Sequence, residues 1–505
     1  MIRIFLFLSL LTTTIADAQK TPDPRPFAAA ITAADLQKHL YIIASKDFEG
    51  RETTTEGQRK AAAYIENNFR AMGLLPGNKD AYQLFYPVFQ DSLVNAVMEI
   101  NGHPFRLDED FSVITSIDHT STLMGSEVVF AGYGYSDASR DDYKGLDVKG
   151  KIVMVMSGEP AGYSPPAAAI TPGGRTRPAV NPRLEAAQKN GAIALLLIQS
   201  GFPRQSFGAK GNMYQNAYHL VIYPNMFMVS EKIAEAIMGG DYATVRAGNP
   251  LPRAYAADTK LEFTKAITQL QSSDVLGFLE GSDLKDQILV ISAHYDHLGK
   301  KDSVIYYGAD DDGSGTVSVL ELAQAFARAK TAGKGPRRSI LFLANSGEEK
   351  GLWGSEYYSD HPPYPLENTT VDLNIDMIGR IDPNRKYGDS TNYVYVVGDD
   401  KVSSELKPIS EAQNKKYSKL ELDYKFNDPR DPDRIYYRSD HYNFARKGVP
   451  IIFYFDGIHK DYHRPTDTPD KINYDLLEKR AKLVFYTAWE MANRDEMLKR
   501  DIPLK

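Results

Sequence analysis

The feature that most constrains the fold is an alternation of short apolar runs and amphipathic stretches from Leu261 onward. Residues 288–293 form an apolar run preceded by polar residues, which is typical of a buried strand. Residues 316–329 carry apolar side chains at the i, i+3, i+4, i+7 and i+8 spacing of a helix with one buried face. The alternation predicts an α/β fold with a mixed, mainly parallel sheet flanked by helices. Further strands are predicted at 275–279, 339–344, 371–376, 393–397 and 449–455, and further helices near 402–412 and at 474–494.

The first 18 residues predict a secretory signal peptide. A charged start with Arg3 is followed by an apolar run over 4–11, and Ala16 and Ala18 form a small-x-small cleavage site. Cleavage after Ala18 would make Gln19 the new N-terminus. We therefore expect an exported protein, periplasmic or secreted. No other stretch is apolar enough over a sufficient length to insert into a membrane.

The composition excludes several classes of function. The net charge is only −7 and no long basic run occurs, so a nucleic-acid partner is not expected. The chain has no cysteine, which excludes disulfides, thiolate metal ligands and a thiol nucleophile.

The first half of the chain changes texture near Asp91. Before that point lie two amphipathic stretches, 31–44 and 58–72, and a predicted strand at 82–88. After it, short β-rich runs are separated by Gly and Pro, and few candidate catalytic side chains occur. The expected organisation is a signal peptide at 1–18, the N-terminal part of a catalytic domain at 28–90, an insert at 91–258 and the rest of the catalytic domain at 259–496.

Three pieces of this insert, FAGYG, GKIVMV and AAQKNGAIALLLI, together resemble the protease-associated domain that is inserted into some secreted peptidases. The resemblance implies a β-rich insert. Since the block carries no cluster of ligand-type side chains, we expect it to shape access to the site without supplying chemistry.

The motif SAHYDHLG at 292–299 places His294 and Asp296 at the carboxyl end of a predicted strand. Open α/β sheets keep their functional sites at that edge. An imidazole ligates a metal best when a carboxylate holds its other ring nitrogen. His294 is therefore a candidate ligand and Asp296 a candidate orienting group, although the motif alone also fits a solvated pair.

Further acidic and histidine motifs follow, most of them at the ends of predicted strands. GADDDGSG holds three adjacent carboxylates, which repel one another unless a cation neutralises them or a helix terminus favours them. NSGEEKGLWGS places Glu348 and Glu349 after a strand, where one carboxylate can bind a metal while the other serves as a base. Asp376 ends an apolar run, and His463 lies in the polar loop DYHRPTDTPD.

These motifs together form a mixed nitrogen and oxygen ligand set. It suits zinc, and three carboxylates favour two ions over one. The set comprises His294, one aspartate of the triplet, one glutamate of the pair, Asp376 and His463.

In this order, HYDHLG, GADDDGSG, NSGEEKGLWGS, NIDMIGR and YHRPTDTPD resemble the motifs of the co-catalytic di-zinc exopeptidases, a family of secreted bacterial aminopeptidases and glutamate carboxypeptidase-like proteins. The stretch DFEGRETTTEGQRKAAAYI near the N-terminus adds to the resemblance. The resemblance implies that Asp311 bridges two zinc ions. It places His294 and Asp376 on one ion, and Glu349 and His463 on the other.

The same resemblance implies three catalytic roles: Glu348 as general base, Asp296 as the group that orients the first histidine, and Tyr462 as an aid to the oxyanion. The expected function is a secreted zinc exopeptidase acting on peptides, most simply an aminopeptidase. A carboxypeptidase of the same family, a glutaminyl cyclase-like acyltransferase with one zinc, and a binding protein that uses the insert are the alternatives. The preferred side chain and the oligomeric state are left open.

Overall fold

The structure is a computed structural model that describes residues 22–164, 181–206, 210–216 and 221–503. The predicted signal peptide and a Gly- and Pro-containing part of the insert lie outside these residues. Within the described ranges we find no helix with the length and apolar character needed to pass through a bilayer.

The elements are numbered in chain order. The strands are β1 Leu75–Pro76, β2 Gln83–Ile100, β3 His103–Phe105, β4 Phe111–Val113, β5 Ser121–Phe130, β6 Ile152–Met156, β7 Ala194–Ile198, β8 Lys210–Tyr214, β9 Asn225–Val229, β10 Arg253–Leu279, β11 Leu284–His294, β12 Lys300–Lys301, β13 Val304–Ile305, β14 Arg338–Asn345, β15 Thr369–Ile375, β16 Tyr393–Val397, β17 Glu421–Asp423 and β18 Ile451–Phe455. The helices are α1 Arg25–Ala28, α2 Ala33–Ile43, α3 Glu56–Ala71, α4 Pro182–Lys189, α5 Glu231–Met238, α6 Asp241–Arg246, α7 Gly315–Thr331, α8 Trp353–Asp360, α9 Leu406–Gln413, α10 His441–Ala445 and α11 Tyr474–Asn493.

One large sheet runs through the molecule in the order β17-β16-β18-β15-β11-β14-β10-β5-β6-β7-β9-β4. Its centre, β14-β11-β15-β18, is parallel, and the antiparallel strands β10 and β16 flank it. Leu289 and Ile291 of β11 pack in a core with α2, α7 and α11, whereas Ile288 and Val290 face the other way, toward α8 and α10. The predicted α/β fold with a mixed, mainly parallel sheet between helices is confirmed.

The N-terminal helices begin where side-chain caps are available. The Thr32 side chain accepts a hydrogen bond from the backbone N–H of Asp35 at the start of α2. Thr55 caps α3 in the same way, so this helix begins two residues before the predicted stretch 58–72. These caps fix the starts of two helices that both contact α7.

Two predicted strands are much longer in the structure than in the prediction. The strand expected at 82–88 extends to Ile100 as β2, and the strand expected at 275–279 begins at Arg253 as β10. The two pair antiparallel from Gln83 with Val275 to Ile100 with Thr259. Short apolar runs fail to predict this ribbon because its middle, residues 266–269, is exposed on β10 and carries no apolar repeat.

The ribbon of β2 and β10 joins two separate apolar cores. One core surrounds α7 and α11, and another lies between β4–β7, β9, α5 and the outer parts of β2 and β10. The predicted insert boundaries, 90/91 and 258/259, both fall inside paired strands. The division into domains stays a prediction. The helix expected near 402–412 begins only at Leu406.

Candidate metal centre

Neighbouring parallel strands deliver the acidic and histidine residues to one edge of the sheet. β11 ends at His294, and β15 ends directly before Asp376. β14 lies on the other side of β11 and leads into the turn that carries Glu348 and Glu349. Because parallel strands end at the same edge, these side chains converge there.

The first group of ligand-type side chains consists of His294, Asp311 and Asp376. The Nε2 atom of His294 lies 3.3 Å from Oδ1 of Asp311 and 3.6 Å from Oδ1 of Asp376. All three residues are buried. The sequence resemblance assigns these residues to one zinc ion, and the structure brings them together.

The second group consists of Asp311, Glu349 and His463. The Nε2 atom of His463 lies 3.1 Å from Oδ2 of Asp311 and 3.2 Å from Oε2 of Glu349. The two carboxylate oxygens of Asp311 therefore face different groups. This is the placement expected of a residue that bridges two cations. The assignment of ligands to individual ions stays a prediction.

His297 is a further member of this centre that the sequence reasoning missed. It is fully buried, and its Nδ1 lies 2.8 Å from Oε1 of Glu349 and 3.8 Å from Oδ2 of Asp311. Its ring packs against Gly308, where an added Cβ would lie 2.5 Å from the imidazole Cγ. In the sequence, the second histidine of HYDHLG was the feature that could have pointed to His297 as a member of this centre.

The other two aspartates of the triplet build the loop. Asp312 accepts hydrogen bonds from the backbone N–H groups of Gly315 and Met377, at 2.8 and 3.1 Å. Asp310 accepts from the N–H of Gly379 at 2.7 Å and lies 3.1 Å from Nε2 of His459. The middle carboxylate, Asp311, is the one that faces both His294 and His463.

Asp296 is held in place from two sides. Its carboxylate accepts a hydrogen bond from the Thr53 hydroxyl at 2.8 Å and another from the backbone N–H of Glu348 at 3.2 Å. The Nδ1 atom of His294 lies 3.1 Å from the main-chain carbonyl of Asp296 and 3.7 Å from its carboxylate. Asp296 thus contacts His294 at hydrogen-bond length through its main-chain carbonyl instead of its carboxylate.

Arg51 ties the N-terminal segment to the same loops. Its buried guanidinium donates to the main-chain carbonyls of Tyr295, Ile43, Tyr307 and Gly308 at 2.7 to 2.9 Å. These bonds explain why the DFEGRETTTEG stretch belongs with the motifs that follow it 240 residues later in the chain.

The electrostatics of the centre fit a bound cation. Burial, together with Glu349 and Asp376, raises the pKa of Glu348 well above its usual range, although His294 opposes the shift. Burial lowers the pKa of His463, but its contacts with Asp311 and Glu349 raise it overall, to about 10. Neighbouring carboxylates contribute to both rises, and a bound metal ion would offset their negative charge.

Several buried polar atoms at the centre also lack a hydrogen bond of acceptable geometry among the described residues, and a set of imidazole nitrogens and carboxylate oxygens of this kind suits zinc. They are Nε2 of His294, both ring nitrogens of His297, Oδ2 of Asp311 and Oε1 of Glu349.

A small pocket opens beside the two groups. One wall is acidic and carries Asp311, Glu348 and Asp376. Tyr462 and Arg438 also line it. Burial raises the pKa of the Tyr462 hydroxyl, so that hydroxyl keeps its proton. The remaining wall is apolar and consists of Met377, Ile435, Phe453, Phe455 and Ile458.

Comparison with known proteins identifies the region that carries these residues. Residues 274–488 match the model of peptidase family M28. This part of the chain is similar to peptidase family M28. Every ligand-type residue of the two groups, together with Glu348 and Tyr462, lies inside the matched range.

Among curated relatives, a probable leucine aminopeptidase of Arthroderma otae is 27% identical over 267 residues, which cover 48% of this chain and 69% of the relative. Aminopeptidase YwaD of Bacillus subtilis is 26% identical over 259 residues, 49% of this chain and 50% of the relative. The chain thus spans half to about two thirds of the length of these proteins.

Two solved structures share the fold over nearly the whole chain. An aminopeptidase from Aneurinibacillus sp. strain AM-1 covers 95% of this chain and 99% of its own, with a TM-score of 0.54 and 18% identity. A zinc aminopeptidase from Bacillus subtilis covers 94% and 99%, with a TM-score of 0.50 and 19% identity. The predictions of the peptidase family, the fold and a hydrolase are confirmed.

Proposed function

We propose that this chain is a zinc-dependent aminopeptidase that hydrolyses the first peptide bond of its substrates. The observation that carries the proposal is the shared position of Asp311. Its two carboxylate oxygens face His294 and His463 at 3.3 and 3.1 Å. Two zinc ions, one held by each group, are the cofactor that this arrangement favours.

Each residue at the centre has a separate task. Bound zinc would lower the pKa of a water molecule and polarise the scissile carbonyl. Glu348, whose Oε2 lies 4.0 Å from Nε2 of His294, accepts the proton of the attacking water and returns it to the leaving amine. Asp296 fixes the backbone of Glu348, and the Tyr462 hydroxyl donates a hydrogen bond to the oxyanion.

The pocket favours an aminopeptidase with a preference for apolar N-terminal residues. Its acidic wall suits a substrate ammonium group, and its apolar wall suits an uncharged side chain of the same residue. The relatives named above as aminopeptidases agree with this orientation.

Export and the role of the insert are further parts of the proposal. The sequence of the first 18 residues supports cleavage after Ala18. N-terminal sequencing of the protein recovered from the producing cells should start at Gln19. Retention of the first 18 residues would contradict export. The protease-associated-like insert is proposed to restrict access for long peptides.

The test combines metal analysis with a terminal-release assay. The purified protein is expected to hold close to two zinc ions and to release the first residue of unblocked peptides, while N-acetylated peptides resist. A chelator should abolish the release, and added zinc should restore it. Release of C-terminal residues would indicate a carboxypeptidase. One zinc with cyclisation of N-terminal glutamine would indicate a cyclase, and full activity without metal would overturn the proposal.

A further inference from the structure

Arg438 is an exposed residue of the pocket beside the two ligand groups. It directly follows a 3₁₀ turn over Ile435–Tyr437, and it lines the same pocket as Glu348 and Asp311. The next residue, Ser439, is buried and accepts a hydrogen bond from the side chain of Asn374 in β15 at 2.9 Å. The backbone that carries Arg438 is therefore tied to the same strand that delivers Asp376.

The guanidinium of Arg438 contacts the hydroxyl of Tyr462. Its Nη2 donates to the phenolic oxygen at 3.1 Å. The guanidinium carbon lies 5.9 Å from the centre of the Tyr462 ring, so the closer contact is with the hydroxyl. Among the described residues, Arg438 makes no ion pair with a carboxylate.

The ring of Tyr462 is also fixed from the other end. It stacks on the ring of His463 with centroids 3.8 Å apart and an interplanar angle of 20°. The stack sets the plane of the phenol, and the arginine sets the position of its oxygen. A tyrosine hydroxyl carries one proton, and an oxygen that accepts from an arginine must point that proton elsewhere. The pocket that Tyr462 lines is shared with Glu348 and with two ligand-type residues, Asp311 and Asp376.

We propose that Arg438 is a positioning residue for the reaction: by donating to the Tyr462 hydroxyl it directs the proton of that hydroxyl toward the developing oxyanion. The inference rests on the proposed peptidase function. A charged donor strengthens the hydrogen bond that its acceptor makes in turn, so the effect is expected on turnover. The competing role, capture of a substrate carboxylate by the guanidinium, would act on substrate binding instead.

The experiment uses the zinc-loaded enzyme and the 4-nitroanilide of an apolar amino acid, a substrate with no carboxylate. We compare wild type with Arg438→Ala, Arg438→Lys, Tyr462→Phe and the double variant Arg438→Ala/Tyr462→Phe. Arg430→Ala is the matched control, because Arg430 lies exposed in the preceding loop and pairs with Asp428. Zinc content is measured for every variant, so that a loss of metal is distinguished from a loss of positioning.

Arg438→Ala should lower kcat by about tenfold and change KM by less than about twofold, the size expected for one charge-assisted hydrogen bond. Arg438→Lys should recover part of the loss. In the Tyr462→Phe background, Arg438→Ala should add less than about a twofold loss, because the hydroxyl on which it acts is gone.

Independent, multiplicative losses in the double variant would overturn the proposal. So would a change confined to KM, or a loss seen only with peptides that carry a free carboxylate. If Arg438→Ala fails to fold, Arg438→Lys and Arg438→Gln replace it, each alone and combined with Tyr462→Phe. A wild-type enzyme that neither binds zinc nor releases N-terminal residues would refute the proposed function itself, before any variant is compared.

Discussion

The two ligand groups share Asp311 but are built in different ways. The first group takes His294 from the end of β11 and Asp376 from the end of β15, and both side chains are at least nine-tenths buried. The second group takes His463 from a loop, with a positive φ of 55° and a side chain that is 37% exposed. The sheet therefore fixes one half of the centre, whereas the other half depends on a loop and on the buried His297 behind it.

This difference indicates which ligand-type residues can be substituted with little loss of folding stability. A side chain on a buried strand is held by packing on all sides, so its loss leaves a cavity and unpaired neighbours. A loop residue is held mainly by its metal and by a few hydrogen bonds.

The largest loss of turnover is expected when the general base is removed and both ligand groups stay intact. Glu348→Gln should keep both zinc ions and lower kcat by about 10²–10⁴-fold, because the amide cannot accept the proton of water. Glu349→Ala should instead lose zinc from the second group. Metal analysis beside steady-state kinetics distinguishes the two variants. Retention of both ions by Glu349→Ala, with metal loss in Glu348→Gln, would mean that the two roles are exchanged.

Removing one histidine from each ligand group tests the contrast between the strand-held group and the loop-held group. His294→Ala and His463→Ala should each bind about one zinc ion fewer. In the metal-free state, His294→Ala should lower the free energy of unfolding by about 3 kcal/mol, and His463→Ala by less than about 1 kcal/mol. Urea denaturation in the presence of a chelator measures both. Equal losses of stability would contradict the difference in construction.

A smaller effect is expected from the residue behind the second group. His297→Ala should weaken zinc binding at that group by about 10–100-fold and leave the first group unchanged, since it removes the contact that holds Glu349. A zinc titration against a competing chelator gives both affinities. His361→Ala, at an exposed histidine on α8's C-cap, is the control. Loss of affinity at both groups would show that His297 supports the whole loop.

The smallest predicted loss of turnover concerns the hydrogen bond between Thr53 and Asp296, beside the first group. Thr53→Ala removes the hydroxyl that donates to Asp296, and should lower kcat by about threefold without loss of zinc. Thr53→Ser keeps the hydroxyl and should retain wild-type turnover. If the serine variant is as slow as the alanine variant, packing of the threonine methyl group is the cause instead of the hydrogen bond.

The parts of this centre that could be predicted from the sequence are those that follow strands. Apolar runs locate β11, β14 and β15, and polar residues directly after them must lie at one edge of a parallel sheet. That rule places His294, Asp376 and the glutamate pair together. Asp311 and His463 were assigned through the resemblance to a family, because a loop conformation does not follow from spacing.

The residues that escaped prediction act across long distances in the chain. The hydrogen bond between Arg438 and Tyr462 joins two loops, and neither loop carries a periodic pattern. His297 lies within the motif HYDHLG, yet whether a residue three positions after His294 turns toward the other ligand-type side chains depends on the conformation of the turn. The orienting contact to His294 shifted from a carboxylate to a carbonyl for the same reason.

The ribbon of β2 and β10 decides where a protein engineer can cut this molecule. Removing 91–258 at the change in composition would leave β10 residues such as Leu261 and Phe263 without their partners Met98 and Ala96. Exposed, unpaired strand edges of this kind invite aggregation. A cut in register joins Gln90 to its partner Thr268, where a two-residue turn closes a hairpin and every remaining pair between β2 and β10 is kept. The pairs of Phe89 with Tyr214 and of Gln90 with Met213 are lost, because β8 lies in the removed segment. A minimal enzyme should therefore be designed from the strand pairing. On the β10 side, the cut that keeps the register lies nine residues beyond the boundary that the composition indicates.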